Sequence, residues 1–223
     1  MIHASTFEYL DDLGAHDTKD WFDAHRTRYN AVLQNLADVA EAIIAEVGAT
    51  DLPFAQANPD PRATISRIHR DMRFAKDGRS KYKTDFFLIF KAPPTSIAGY
   101  YLHVERDNVY AGGGAFTPQP GELDRIRQSI QQGYDRWLAV VGSPDMTRTF
   151  PDGLTSPETL KIAPKGYDPR DPAIEYLRRK GFCANHALSM AQIQRTDALA
   201  DITHTFATVR PLVEYLNAAT KPA

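Results

Sequence analysis

The sequence lacks the features that mark secreted and membrane proteins. Cys183 is the one cysteine among 223 residues, which excludes an intrachain disulfide framework. The longest apolar runs, such as residues 86–90, are far shorter than the roughly 18–20 residues that cross a bilayer. The first residues contain neither the basic stretch nor the apolar stretch of a secretory signal. We therefore expect a cytoplasmic protein that does not associate with membranes.

The short motifs of common catalytic and cofactor sites are absent as well. There is no G-x-S-x-G nucleophile turn, no Gly-Lys-Ser/Thr phosphate loop and no G-x-G-x-x-G dinucleotide motif. None of the seven histidines forms an H-x-x-x-H or H-E-x-x-H pair with another. The sequence therefore predicts no metal site and no cofactor.

Hydrophobic periodicity predicts a helical hairpin at the N-terminus. Apolar residues recur every three or four positions over residues 21–47, which is typical of a helix with one buried face. Asp17 or Thr18 is placed to cap its start, and a shorter helix at residues 7–13 is expected to pack against it. Residues 51–62 are rich in proline and are predicted to be a linker.

The middle of the chain is predicted to form a sheet. β-Branched and aromatic segments alternate there with turn residues, a pattern that indicates strands. The predicted strands are residues 64–69, 86–90, 99–104 and 108–111. Because the last two are joined by a short turn, the sheet is expected to be mostly antiparallel.

The C-terminal half is predicted to be mainly helical. The expected elements are a helix from about Thr117, a short strand at 160–162, a helix opened by Pro172 with Phe182 facing inward, and a final helix from Asp197. Helices that flank a block of strands, without regular β-α-β alternation, favour an α+β fold. We predict one domain over residues 1–223: an N-terminal helical hairpin, a central mostly antiparallel sheet, and C-terminal helices packed on it.

Charge is distributed unevenly, although the net charge is only −2. Residues 1–61 contain three basic and eleven acidic residues, whereas residues 62–83 contain eight basic and two acidic residues. So dense a group of arginines and lysines is either an anion site or the partner of the acidic N-terminal part. The near-neutral charge of the whole chain argues against a nucleic-acid partner.

Residues 67–83 are the predicted functional site. The planar guanidinium of arginine can donate two parallel hydrogen bonds to a carboxylate or phosphate, and lysine adds a mobile point charge. The predicted anion-binding residues are Arg67, Arg70, Arg73, Lys81 and Lys83. The candidates for a catalytic or orienting role are Asp71, Asp77 and Tyr82. The expected partner is a small phosphorylated or carboxylated molecule, and the residues leave open whether a reaction follows binding.

A second interpretation assigns the same charges to the fold. Asp71 lies between Arg70 and Arg73 and could neutralise both, while carboxylates of the first long helix, such as Asp20 or Asp23, could pair with the arginines. The protein would then be a non-catalytic structural or interaction module. In both cases we expect Arg70 and Asp71 to be partly buried, with Arg70 paired to a carboxylate.

Three consecutive glycines, Gly112, Gly113 and Gly114, are predicted to lie between a strand and a helix. A loop at this place would offer backbone N–H groups to an anion. Close approach of another backbone, or a bulge, is the alternative explanation.

At the basic segment the sequence resembles a known family. The family signature is an Arg-x-x-Arg-Asp-x-Arg-Phe run followed by a turn of the Asp/Asn-Lys-x-x-Tyr-Lys type. The matching residues are Arg67, Arg70, Asp71, Arg73, Phe74, Asp77, Tyr82 and Lys83. By this pattern the chain resembles the bacterial domain-of-unknown-function family two-four-six-one, and the resemblance continues over nearly the whole chain. It implies no activity, because none is established for the family.

The chain also departs from the family pattern in two places. The turn at residues 77–82 is a residue longer than usual and lacks the typical proline. Asp171 stands where the pattern has a histidine. If that histidine carries chemistry in the family, this member differs from the others.

Overall fold

The computed structural model describes residues 1–71, 80–93 and 95–221. Backbone contacts divide the chain into two compact units. The first comprises Met1–Pro94, Tyr101–Ala111 and Ala187–Thr203, and the second comprises Thr95–Tyr100, Gly112–His186 and His204–Ala223. That residues 1–223 form one domain stays a prediction.

Helices precede and follow a single sheet in the described part of the chain. The helices are α1 (Ala4–His16), α2 (Lys19–Ala24), α3 (Arg26–Gly48), α4 (Leu52–Ala57), α5 (Pro61–Thr64), α6 (Pro120–Gln132), α7 (Tyr134–Val141), α8 (Pro144–Thr149), α9 (Ile174–Leu177), α10 (Met190–Gln194) and α11 (Ala198–Thr220). The strands are β1 (Asp85–Phe90), β2 (Gly99–Glu105), β3 (Val109–Ala115), β4 (Leu154–Thr155) and β5 (Phe182–Leu188). They form an antiparallel sheet in the order β1-β2-β3-β5-β4. These elements confirm the predicted α+β class.

Helices α1 and α3 pack together as the predicted N-terminal pair. Their apolar faces are buried, through Phe7, Leu10 and Leu13 of α1 and Val32, Leu36 and Ile43 of α3. Asn35 is buried among them and accepts hydrogen bonds from the His3 backbone N–H at 2.9 Å and from the Thr6 hydroxyl at 3.1 Å. This amide fixes the first turn of α1 on α3. None of the helices in the described ranges is long and apolar enough to cross a membrane.

The helix predicted over residues 21–47 is interrupted at His25, so its continuity was predicted wrongly. Thr18 caps α2 as expected, since its hydroxyl accepts a hydrogen bond from the Trp21 backbone N–H at 3.3 Å. The Nδ1 atom of His25 lies 2.8 Å from the Trp21 carbonyl oxygen, and its ring stacks on the Trp21 indole at 4.1 Å. The imidazole and the backbone N–H of His25 thus share one carbonyl, and the chain leaves helical geometry before restarting at Arg26.

Residues 51–62 are not a linker, because they contain α4 and the start of α5. Asp51 caps α4 and Asp60 caps α5, each accepting a backbone N–H, at 3.0 and 2.9 Å. Pro53 and Pro61 lie in the first turns of these helices. Proline is tolerated there because the first N–H groups of a helix have no intrahelical partner. The prolines therefore mark helix starts.

The strand predicted at residues 86–90 is confirmed as β1, and it buries the alternate residues Phe86, Leu88 and Phe90. Residues 64–69 do not form the predicted strand. They make only isolated bridges, between Ile65 and Leu88 and between His69 and Tyr82. The predicted strands at 99–104 and 108–111 are confirmed as parts of β2 and β3.

Two predictions in the C-terminal half were wrong. Residues 160–162 are not a strand, and the closest pairing is an isolated bridge between Thr159 and Arg179. The helix predicted to start at Pro172 and to include Phe182 is the short α9, which ends at Leu177. Phe182 begins strand β5 instead. The expected final helix is confirmed as α11.

Candidate functional site

The basic segment folds back on itself as a two-stranded antiparallel ribbon. The backbone N–H of Arg70 donates to the Lys81 carbonyl at 2.9 Å, and that of Lys83 donates to the Ile68 carbonyl at 2.8 Å. We call residues 67–70 together with 81–83 the basic ribbon. The chain reversal brings together basic residues that are more than ten positions apart in the sequence.

The two faces of the basic ribbon differ in chemistry. His69 and Tyr82 lie opposite each other between the two backbone hydrogen bonds. Because side chains alternate between the faces of a strand, this register places Arg70 opposite Lys81 on the other face. Arg70 is half-buried and Lys81 is exposed. One face therefore carries the His69 and Tyr82 rings, and the other, which we call the cationic face, carries Arg70, Lys81 and Lys83 beside the buried Ile68.

The cationic face is not neutralised within the described part of the chain. Like charges at directly opposite positions destabilise a strand pair, which makes the Arg70–Lys81 pairing unfavourable without a counterion. Arg67, Lys81 and Lys83 form no ion pair with any residue of the described ranges. The Arg70 Nε–H donates to a carbonyl, that of Tyr82, at 3.1 Å. Among the described residues these cations therefore lack an ion-paired carboxylate, although the charges of Arg70 and Lys83 act on the Asp85 carboxyl and lower its pKa.

The acidic N-terminal part directs its carboxylates to other cations. The ion pairs are Asp23 with Lys19 and with Arg26, Asp12 with Arg28, and Asp11 with Arg106. Asp20 is exposed. Among the described residues, the carboxylate that contacts the basic ribbon is that of Asp17, which accepts the Tyr82 backbone N–H at 3.3 Å. In the residues that the structure describes, Asp20 and Asp23 do not hold the ribbon arginines.

The expectation for Arg70 and Asp71 is met only in part. Arg70 is half-buried as predicted, but its bonded partner in the described chain is the Tyr82 carbonyl and not a carboxylate. Asp71 is exposed, so its predicted partial burial was wrong. The exposed Asp71 therefore contributes no buried counter-charge to Arg70.

Tyr82, a candidate for a catalytic role, faces the aromatic side. It is 4% exposed and its ring stacks on Phe22 at 4.7 Å, with the His69 ring at 5.1 Å. Burial raises the pKa of the Tyr82 phenol. The hydroxyl is therefore protonated at neutral pH and is a hydrogen-bond donor rather than a base.

Two predicted site residues, Arg73 and Asp77, lie outside the described residues, as do Phe74 and the other positions from 72 to 79. The described part of the predicted site consists of Arg67, Arg70, Asp71, Lys81, Tyr82 and Lys83. That these residues bind an anion stays a prediction.

A buried histidine–carboxylate contact that the sequence did not reveal lies next to the ribbon. His103 of β2 is 4% exposed, and its Nε2 atom lies 3.6 Å from Oδ2 of Asp85 in β1. The adjacent His103 imidazole lowers the pKa of the Asp85 carboxyl, and the positive charges of Lys83 and Arg70 lower it further. The one sequence signal was a histidine inside the apolar run 100–104, where a buried polar side chain needs a partner.

Acidification is expected to cancel the stability that Asp85 contributes. A carboxyl whose pKa lies below its ordinary 3.8 stabilises the fold above the unfolded-state pKa and loses that contribution as the pH falls through the folded-state pKa. The advantage of the wild type over Asp85→Asn in urea midpoint should therefore be largest at pH 7 and shrink at pH 3. An advantage that is equal at both pH values would contradict this role of Asp85.

The three glycines lie within a strand, so their predicted position in a loop between a strand and a helix was wrong. Gly112, Gly113 and Gly114 are buried within strand β3. A Cβ atom on Gly114 would lie 2.0 Å from the Phe182 carbonyl oxygen, and Gly114 has a φ of +140°. The glycines therefore serve close backbone packing, which was the alternative explanation.

Asp171, where the family pattern has histidine, has a structural position. Its Oδ1 accepts the Ala173 backbone N–H at 2.8 Å, and its Oδ2 accepts the Gln131 side-chain amide at 2.7 Å. A carboxylate with two acceptor oxygens suits this turn before α9. In residues 1–71, 80–93 and 95–221, no group of three or more histidine, cysteine or acidic side chains is arranged to hold a metal ion.

Comparison with known proteins gives one match. A family model described as a conserved hypothetical protein (DUF2461) matches residues 5–215 of the chain. No curated protein and no solved structure matches the chain.

Proposed function

We propose that this chain, which belongs to the DUF2461 family of conserved hypothetical proteins, binds a small anionic molecule on the cationic face of its basic ribbon. The observation that carries the proposal is the placement of Arg70 directly opposite Lys81, with no carboxylate of the described chain paired to Lys81 or Lys83 on the same face. An arrangement that is unfavourable when empty becomes favourable when an anion neutralises it.

The chemistry of the ribbon favours a phosphorylated or carboxylated metabolite. Arg70 is held at Nε by the Tyr82 carbonyl, which fixes the plane of its guanidinium, and no residue of the described ranges accepts a hydrogen bond from its terminal nitrogens. Lys81 and Lys83 add point charges. Metabolites of this kind occur in the cytoplasm, and a chain with a single, buried cysteine suits a reducing compartment. We include a cytoplasmic location in the proposal.

Asp71 is the residue that we propose for orienting the ligand or accepting a proton from it. It follows Arg70 directly and is exposed, so a molecule bound on the ribbon would reach its carboxylate. The buried, protonated Tyr82 does not suit a base and is proposed to support the ribbon from its aromatic face.

Titration calorimetry with pyrophosphate tests the proposal. Pyrophosphate should bind the wild-type protein, and Lys81→Gln should weaken binding about tenfold, the effect of one charge-assisted contact. Lys161→Gln is the matched control, because Lys161 is an exposed lysine outside the ribbon. The affinity of this variant for pyrophosphate should equal that of the wild type. Absence of pyrophosphate binding, together with absence of citrate binding, would reject the proposal.

The same Lys81→Gln variant should be as stable as the ligand-free wild type or more stable. Removing one of two opposed positive charges relieves repulsion that is worth about 0.2–1 kcal/mol in strand pairs. The urea midpoint in buffer without multivalent anions measures this. A clearly lower midpoint would instead support the interpretation in which the ribbon charges hold the fold together.

A further inference from the structure

Residues 81–90, which lead from the basic ribbon into β1, alternate between a side that packs on the helices and a more exposed side. The residues of the first side are buried, namely Tyr82, Phe86, Leu88 and Phe90. Phe22 of α2 stacks on the Tyr82 ring at 4.7 Å, and the Phe54 ring of α4 lies 6.5 Å from the Phe90 ring. The residues of the second side are exposed or half-buried, namely Lys81, Lys83, Asp85, Phe87 and Ile89. This second side therefore continues the cationic face of the ribbon along β1.

Backbone pairing joins the basic ribbon to β1. The Ser66 backbone N–H donates to the Phe87 carbonyl at 2.7 Å, and the Phe87 N–H donates to the Ser66 hydroxyl at 2.9 Å. Two residues further along the same segment, the Ile68 carbonyl accepts the Lys83 N–H at 2.8 Å. Because four residues span at most about 14 Å of extended chain, Lys83 and Phe87 are close enough for one small molecule to contact both side chains.

An aromatic cluster lies on this side of the sheet. Phe87 of β1, Tyr101 of β2 and Tyr110 of β3 are all half-buried, and we call them the aromatic platform. Their rings contact one another at 6.2–6.3 Å with interplanar angles of 70–89°, so they meet edge to face. The buried His103 ring lies 4.5 Å from the rings of Phe87 and Tyr110 and supports them. Partly exposed aromatic rings are the side chains on which nucleic-acid bases stack.

A carboxylate lies between the cations and the aromatic platform. Asp85 follows Lys83 by two residues and precedes Phe87 by two, on the same side of the chain. Its Oδ2 lies 3.6 Å from Nε2 of His103, whose Nδ1 lies 2.8 Å from the Asn108 carbonyl oxygen. The Asp85 side chain is 19% exposed. Its carboxylate is therefore held in place and is accessible to hydroxyl groups, which donate hydrogen bonds to it.

We propose that the anion bound at the basic ribbon is a nucleotide, an inference that rests on the function proposed above. The ribbon cations hold the phosphate, the Asp85 carboxylate accepts hydrogen bonds from the ribose hydroxyls, and the base stacks on the aromatic platform. The order of cation, carboxylate and aromatic ring along the face matches the order of phosphate, sugar and base in a nucleotide. The near-neutral charge of the whole chain favours a single nucleotide over a nucleic-acid strand.

Titration calorimetry of the wild-type protein with AMP, 2′,3′-dideoxy-AMP and ribose 5-phosphate tests this proposal. Adenine is a suitable probe, because stacking on aromatic side chains tolerates any base. AMP should bind about tenfold more tightly than ribose 5-phosphate, which has no base to stack. Dideoxy-AMP should bind about tenfold more weakly than AMP, because it lacks the hydroxyls that donate to Asp85. Equal affinity for AMP and either of the other two ligands would overturn the nucleotide assignment.

Variants of the aromatic platform test the stacking directly. Tyr101→Leu should weaken AMP binding about tenfold and leave the pyrophosphate affinity unchanged, whereas Tyr101→Phe keeps the ring and should bind both ligands as the wild type does. Tyr134→Leu is the matched control, because Tyr134 is a half-buried tyrosine of α7 whose ring lies 6.3 Å from that of Tyr176. This control should bind AMP as the wild type does. An equal loss of AMP affinity in both leucine variants would overturn the role of the platform.

The pyrophosphate titration separates the nucleotide assignment from the anion site on which it rests. Pyrophosphate binding together with equal affinities for AMP and ribose 5-phosphate would overturn the nucleotide assignment and leave the anion site standing. Absence of binding for pyrophosphate, citrate and AMP alike would overturn the anion site itself, and the nucleotide assignment with it.

Discussion

Replacing Gly114 by alanine should lower the free energy of unfolding by about 3 kcal/mol or more, since backbone strain and overpacking each cost roughly 1–3 kcal/mol. The added Cβ would lie 2.0 Å from the Phe182 carbonyl oxygen and 2.8 Å from the Cys183 Cα, atoms of a backbone that cannot rotate away. The φ of +140° is also a conformation that residues with a Cβ rarely adopt. Urea unfolding of the variant measures the loss.

Gly121→Ala is the control for Gly114→Ala. A Cβ on Gly121 would meet nothing within 4 Å, and the residue lies in the first turn of α6. Alanine there should leave the midpoint unchanged or raise it, because alanine is the better helix former. Equal midpoints for Gly114→Ala and the wild type would show that the glycine run is not required for packing, and would reopen its role in ligand binding.

The double variant Arg70→Gln/Lys81→Gln should bind pyrophosphate about a hundredfold more weakly than the wild type. Each side chain is expected to contribute a charge-assisted contact of about 1.5 kcal/mol or more, which is about tenfold in affinity. The two residues lie opposite each other on one face, so a single phosphate group can contact both. Calorimetry measures the affinity, and urea unfolding checks that the ribbon still forms.

A control for the double variant comes from the other basic group in the chain. Lys161 and Lys165 are both exposed, and their double replacement by glutamine removes the same number of charges outside the ribbon. Its pyrophosphate affinity should match that of the wild type. An equal loss in both double variants would mean that binding follows net charge rather than the ribbon geometry.

The fold was predictable where side-chain periodicity is strong. Helices α1 and α11 carry apolar residues at helical spacing, strand β1 is an unbroken apolar run, and each was found where the sequence indicated it. Gly112–Gly114 have no side chains and so give no strand signal, although they complete β3. Strand β5 begins with three consecutive buried residues and continues through Asn185 and His186, a sequence that has no period of two.

The candidate site was predictable to the extent that it is local in sequence. The basic residues of the ribbon lie within one short segment, so their clustering is evident from the sequence alone. The break at His25 arises from a side-chain contact to the Trp21 carbonyl, which hydrophobic periodicity does not encode. Asp85 and His103 meet only because of strand register, and nothing in their spacing along the chain indicates that contact.

Anion binding at the basic ribbon is tested most directly by an NMR titration of 15N-labelled protein with pyrophosphate, followed at each backbone amide. We expect saturable shifts that are largest at residues 67–70 and 81–83 and that are lost in the Arg70→Gln/Lys81→Gln variant. Saturable shifts centred on another part of the chain, or no saturable shift at all, would contradict it.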